Sequence, residues 1–143
     1  MPWLLERDNP SVRYLALTEI MGLSDSHPEA AEAKAAIMER GTVAEILAKQ
    51  KNEGFWEKKE NFYVRAKYRG TVWQVIILAE LGADGGDSRI RKACDFIIDI
   101  SQDRQSGGFC YRGNQISGGF HSCAIPCLTG NMVWSLLRFG YFG

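Results

Sequence analysis

The densest grouping of metal-binding and nucleophilic side chains in this chain is His121-Ser122-Cys123-Ala124-Ile125-Pro126-Cys127, with Cys110 eleven residues before His121. Thiolates and imidazole suit Zn²⁺, and Cys110, His121, Cys123 and Cys127 would supply a tetrahedral Cys₃His site. The spacing is no standard zinc-finger pattern, so a second reading stands beside it: small buried thiols packed as apolar groups, with a loop histidine. A nucleophilic pair of Cys123 or Cys127 with His121 would need an orienting Asn or Asp, and none stands at a telling spacing. Cys94 follows Ala93 inside a helical pattern and reads as core. Thr129-Gly130-Asn131 opens a helix whose free N–H groups suit an anion, although capping is the simpler use.

These residues belong to the stretch 103–128, which carries no helical periodicity and holds Gly107, Gly108, Gly113, Gly118 and Gly119. A loop of that length inside a compact domain is usually functional or mobile. The rest of the chain has helical patterning. Asn9 and Pro10 suit the cap and first position of a helix that Gly22 ends. The alanine-rich run from Pro28 to Arg40 has strong helix propensity. Thr42 with Glu45 spells a capping box for the segment 43–50. Thr71 to Leu81 is almost wholly apolar, and its length and closing Gly82 favour a buried helix over a strand. Asp84-Gly85-Gly86-Asp87 reads as a turn, Ser88 caps a helix to about Ser101, and Thr129 starts a last helix that Gly140 closes.

Lys plus Arg balances Asp plus Glu at 17 each, so no net field directs the chain to nucleic acid or an anionic membrane. No run approaches the ~20 apolar residues of a transmembrane helix. The first residues are too few and too charged for a secretion signal, which makes the cytoplasm the expected location. Four cysteines in 143 residues are too sparse for a disulfide scaffold.

A repeat organises the chain. Gln50, Gly54 and Trp56 follow the end of one helical segment, and Gln102, Gly107, Gly108 and Phe109 follow another, with Gln102 lying 52 residues after Gln50. Apolar helices with an aromatic residue near the start and a glycine at the end recur at Tyr14 to Gly22, Trp73 to Gly82 and Trp134 to Gly140. Such units cannot bury their apolar faces alone, so they stack.

Leu47-x-x-Gln50-x-x-x-Gly54-x-Trp56 resembles the QW motif of squalene and oxidosqualene cyclases. The variant with Gln102, Gly107, Gly108 and Phe109 is similar to the form seen in protein prenyltransferase β subunits. The resemblance implies an all-α fold of α/α toroid-type hairpins. It would hold about two and a half hairpins in one domain, over roughly 9–56, 69–109 and an incomplete 129–143, too few to close a ring. Gln50, Gly54, Trp56, Gln102, Gly108 and Phe109 would then act as staples between outer helices, the glutamine bonding backbone groups that a helix end leaves free. Tyr14, Trp73 and Trp134 fall at equivalent positions, and aromatic rings line the lumen of terpenoid cyclases, so these three are the candidate contacts to an apolar isoprenoid. In a chain this short they also read as plain core. The Asp-rich acid of squalene cyclases has no match here.

Three functions follow as expectations. One is a squalene cyclase- or prenyltransferase-like repeat protein, or a fragment of one, that holds an isoprenoid ligand without catalysing alone. The second is a non-enzymatic helical-repeat module that self-associates or docks on further repeats, with Met132, Trp134 and Leu136 partly uncovered on the unpaired last helix. The third is a domain stabilised by zinc on the Cys/His loop.

Overall fold

The computed structural model describes residues 2–141. It is mostly helical, with one small two-stranded sheet. Helix α1, Pro10–Leu15, runs on into a wider π turn, Ala16–Ile20, which Gly22 ends with φ near +69°. Pro10 sits at the first helical position, where its missing N–H costs nothing. Asn9 precedes it but makes no side-chain cap.

Helix α2, Pro28–Ile37, buries Ala30, Ala33, Ala36 and Ile37, the helical spacing of one face. Small alanines let it lie close to α1, and Leu17, Ala30 and Ala33 form a satellite core between the two. Arg13, nearly enclosed, reaches Glu32 at 3.2 Å and ties the same pair. Helix α3, Thr42–Ala48, follows Gly41. The expected Thr42–Glu45 capping box is not formed: Gly41 holds the cap position and Thr42 is already helical.

Helix α4, Thr71–Glu80, confirms the helical reading of the Val/Ile run. It buries Thr71, Val72, Val75, Leu78 and Ala79. Helix α5, Ser88–Ser101, places Ile90, Ala93, Cys94, Ile97 and Ile100 inward. Its cap is Asp87 rather than Ser88, with the carboxylate accepting the Arg89 N–H at 2.8 Å. A carboxylate meets both the free N–H groups and the positive end of the helix. Helix α6, Pro126–Arg138, begins three residues before the expected Thr129, because Pro126 can open a helix. The last two residues of the expected third unit lie outside the described residues.

The loop 103–128 departs from the all-α expectation. Strands β1, Gly113–Asn114, and β2, Gly118–Gly119, pair antiparallel, with Gly113 opposite Gly119 and Asn114 opposite Gly118. Asn114 Oδ1 accepts the N–H groups of Ile116 and Ser117 and shapes the turn. The hairpin lies flat on the C-terminal end of α5, so close that a Cβ at Gly113 would meet the Ile100 carbonyl.

α4 packs on both α5 and α6. One contiguous core runs from Ile37 through Trp56, Val75, Ile97 and Phe109 to Met132 and Leu136. The turn after α4 lies between α1 and α6: Gly82 faces the Tyr14 ring, and Gly85 lies on the backbone of Phe139. Among the described residues no helix is long and apolar enough to cross a membrane.

Candidate functional site

The two glutamine turns share one hydrogen-bond pattern. In the first, Lys51 N–H donates to the Phe55 carbonyl at 2.8 Å and Gly54 N–H to the Lys51 carbonyl at 2.9 Å. In the second, Asp103 N–H donates to the Gly108 carbonyl and Gly107 N–H to the Asp103 carbonyl, both at 2.8 Å. Gln50 donates to the Gly54 carbonyl and Gln102 to the Gly107 carbonyl, each at 3.4 Å. Trp56 N–H donates to the Thr71 hydroxyl at 3.2 Å, and Phe109 N–H to the Thr129 hydroxyl at 2.9 Å. Both aromatic residues are buried. Gly54 and Gly107 are the left-handed residues, with φ of +91° and +73°, so Gly107 rather than Gly108 is the counterpart of Gly54.

The turns differ in reach. Gln50 also donates to the Arg89 carbonyl at 2.9 Å, and Trp56 Nε1 donates to the Ile46 carbonyl at 2.8 Å. The first turn therefore fastens α3 to α5. The Gln102 side-chain amide bonds only within its own turn, while its carbonyl accepts the Gly119 N–H of the hairpin at 2.9 Å.

The second turn carries an acid where the first has Lys51. Asp103 is 4% exposed, and its carboxylate accepts from the Ser106 hydroxyl at 2.5 Å and from the Gln105 and Ser106 N–H groups at 3.2 Å each. His121 Nδ1 lies 2.5 Å from Asp103 Oδ2. The Ser106 hydroxyl first, and His121 next, hold the Asp103 carboxyl well below the usual carboxylate range. Asp103 is the orienting acid that the sequence did not reveal, because 18 residues and a hairpin separate it from His121. The one local signal was its place at the start of a Gln-Asp-x-x-Ser-Gly turn. No cysteine is hydrogen-bonded to His121, so the arrangement is an acid–imidazole pair without a nucleophile.

The four expected zinc ligands are not gathered. Cys110 and Cys123 are buried, Cys127 is exposed in the first turn of α6, and His121 is engaged by Asp103. Among the described residues no three His, Cys, Asp or Glu side chains are placed to hold a metal. The reason is β pairing: Cys110 stands opposite Ala124, and Tyr111 N–H donates to the Cys123 carbonyl at 3.1 Å. This pairing brings the Cys110 and Cys123 segments side by side, while Cys127 stays exposed on α6 and His121 stays with Asp103. Burial, with Asp103 second, raises the Cys110 thiol above its ordinary value. Burial also pushes Cys94 up to about 12. Thr129 lies inside α6, donating to the Ile125 carbonyl and accepting from Phe109, so no open anion-binding end remains there.

The three expected ligand aromatics do not share a cavity. Tyr14 donates to Asp25 Oδ1 at 2.7 Å beneath Lys34 and borders an open groove of about 810 Å³. Trp73 is half-buried between Tyr63 and Tyr68, with ring centroids 5.6 Å and 5.2 Å away, and its enclosed Nε1 has no partner. Trp134 is 39% exposed beneath Arg138. Neither tryptophan borders the three open clefts on the described surface.

The uncovered side of α6 also differs from expectation. Met132 and Leu136 are fully buried, whereas Val133, Trp134 and Leu137 are exposed. Packing of α6 on α4 selects the 128/132/136 face, and 133/134/137 lies one residue around the helix. At the other end, Ile20 and Met21 after α1 are exposed as well.

Comparison with known proteins finds no matching family model, no matching curated protein and no matching solved structure.

Proposed function

We propose that the chain is a helical-hairpin repeat segment of the terpenoid cyclase and prenyltransferase toroid type, and that it works by docking rather than by catalysis on its own. The observation that carries the docking is the apolar strip Val133, Trp134 and Leu137 along α6, the last helix of the α1–α4–α6 series. Support for the repeat comes from the duplicated glutamine turn and its matching bonds to Thr71 and Thr129. In a stack, each helix covers the free face of the one before it. The occupant is a second copy of this chain, seated by its α1 end, where Ile20 and Met21 are equally uncovered. Charge agrees, since exposed Arg138 lies on the α6 strip and exposed Glu19 beside Ile20. Such a head-to-tail contact joins unlike surfaces and extends or closes into a ring according to its rotation.

Sedimentation velocity over a concentration series tests this. Mass should rise with concentration for the native chain, and Trp134→Ser with Leu137→Ser should hold it monomeric while its circular dichroism is unchanged. A native chain that stays monomeric throughout would overturn the proposal. An isoprenoid pocket draws no support from the three open clefts, none of which Trp73 or Trp134 lines.

A further inference from the structure

We infer that the cleft between the 62–65 loop and the β hairpin binds a small aromatic anion, a flat ring bearing a carboxylate or a phosphate. The cleft holds about 340 Å³, at the lower end of the range for small-ligand sites. Glu60, Tyr63 and Arg65 line the cleft from one loop, and Tyr111, Arg112 and Phe120 from the other. Neither Arg65 nor Arg112 forms an ion pair with a described residue.

Two unpaired guanidiniums from separate loops fit a carboxylate or phosphate head group, which each can meet with paired N–H donors. Three aromatic rings fit a flat apolar body, because rings stack with few torsions to immobilise. Phe120 is 43% exposed and Val64 61% exposed, so the free cleft shows water an apolar surface that a stacked ring would cover. Arg112 already lies over the Tyr111 ring at 5.6 Å, which holds its guanidinium against the wall. Glu60 offsets one of the two positive charges, so the lining remains cationic by one.

Both walls are fixed before any ligand arrives. Phe120 N–H donates to the Arg112 carbonyl at 3.0 Å, Tyr111 N–H to the Cys123 carbonyl, and the adjoining His121 is held by Asp103. Opposite, Phe62 is buried and its carbonyl accepts from Val72 N–H at 2.9 Å, while Trp73 backs the Tyr63 ring. A cleft ordered this way loses little further entropy on binding. Nothing in this assignment depends on the docking of repeats or on α6.

Isothermal titration of the whole chain is the test. The probes are naphthalene-2-carboxylate, its neutral methyl ester, phenyl phosphate and inorganic phosphate. One saturable site is expected for the ring-bearing anions, weakened about tenfold or more by Arg65→Gln or Arg112→Gln, and weakened also by Phe120→Ala. The stronger of the carboxylate and the aryl phosphate identifies the head group, and inorganic phosphate alone should bind far less. Both arginines are exposed, so the variants should melt with the native chain; should one not fold, the acid and ester compared on the native chain decide the matter. The inference fails if the ester binds as tightly as the acid, if folded arginine variants bind like the native chain, or if neither ring-bearing anion saturates.

Discussion

Gln50 and Arg89 are joined across 39 residues of chain: the glutamine amide donates to the arginine carbonyl at 2.9 Å, fastening the end of α3 to the first turn of α5. The side chain of Gln102, in the same kind of turn, holds only its own loop. One motif therefore carries two energetic weights, depending on whether a neighbouring helix is present to accept the second bond.

Urea denaturation should separate those weights. Gln50→Ala should lower stability by about 1–2 kcal/mol, since the tie to α5 goes with it, and Gln102→Ala by about 0.5 kcal/mol or less. Thr71→Val strands the buried Trp56 N–H and should cost about 1–3 kcal/mol, with Thr129→Val costing somewhat less because Thr129 is only half-buried. Equal small losses at Gln50 and Gln102 would show that the contact to Arg89 contributes nothing.

Gly54 offers a sharper contrast. Its φ is +91°, and a Cβ there would run into the backbone of Lys92 and Ala93 in α5. Gly22 has φ near +69° with open space around it. Gly22→Ala should therefore show only the left-handed backbone penalty, about 1–2 kcal/mol, while Gly54→Ala should cost more than that or prevent folding. Thermal melts of the two variants check the order; equal melting temperatures would rule out close contact between the turn and α5.

The Asp103 pair gives a pH dependence with a definite sign. The folded carboxyl titrates below its ordinary value, so its contribution is fully present above the unfolded value, about 4. That contribution is lost as pH falls from there through the lower folded value. Asp103→Asn should flatten this acid-side decline. Chemical denaturation midpoints at pH 7 and pH 3 measure it, and identical acid slopes in both proteins would refute it.

Thiol chemistry should rank the four cysteines. Cys127 is exposed and should react first with a maleimide at neutral pH. Cys94, fully buried with its thiol pushed up to about 12, should react only when the chain opens. Cys123, 7% exposed, should come between Cys127 and the fully enclosed pair Cys94 and Cys110. Peptide mapping after timed labelling tests the order, and early modification of Cys94 would contradict the packing of α5.

The helices were legible because their encoding is local. An apolar run of helical length marked α4, Pro10 and Pro28 marked two starts, and Gly22, Gly82 and Gly140 marked three ends. The glutamine turns were legible for the same reason, since each closes within about six residues of chain. Capping was less so: Asp87 displaced Ser88, and Gly41 displaced Thr42, because neighbouring residues of similar chemistry compete for one position. Tertiary structure alone decided three things. It joined Asp103 to His121, it turned Val133, Trp134 and Leu137 outward while Met132 and Leu136 went in, and it set Arg65 across a cleft from Arg112. The first and third have no periodic signature, because each depends on where a loop lands after the helices have packed, and the second depends on which side of α6 meets α4. Repeating side-chain spacing specifies an element and its apolar face; only the folded path of the loop specifies which distant residues meet.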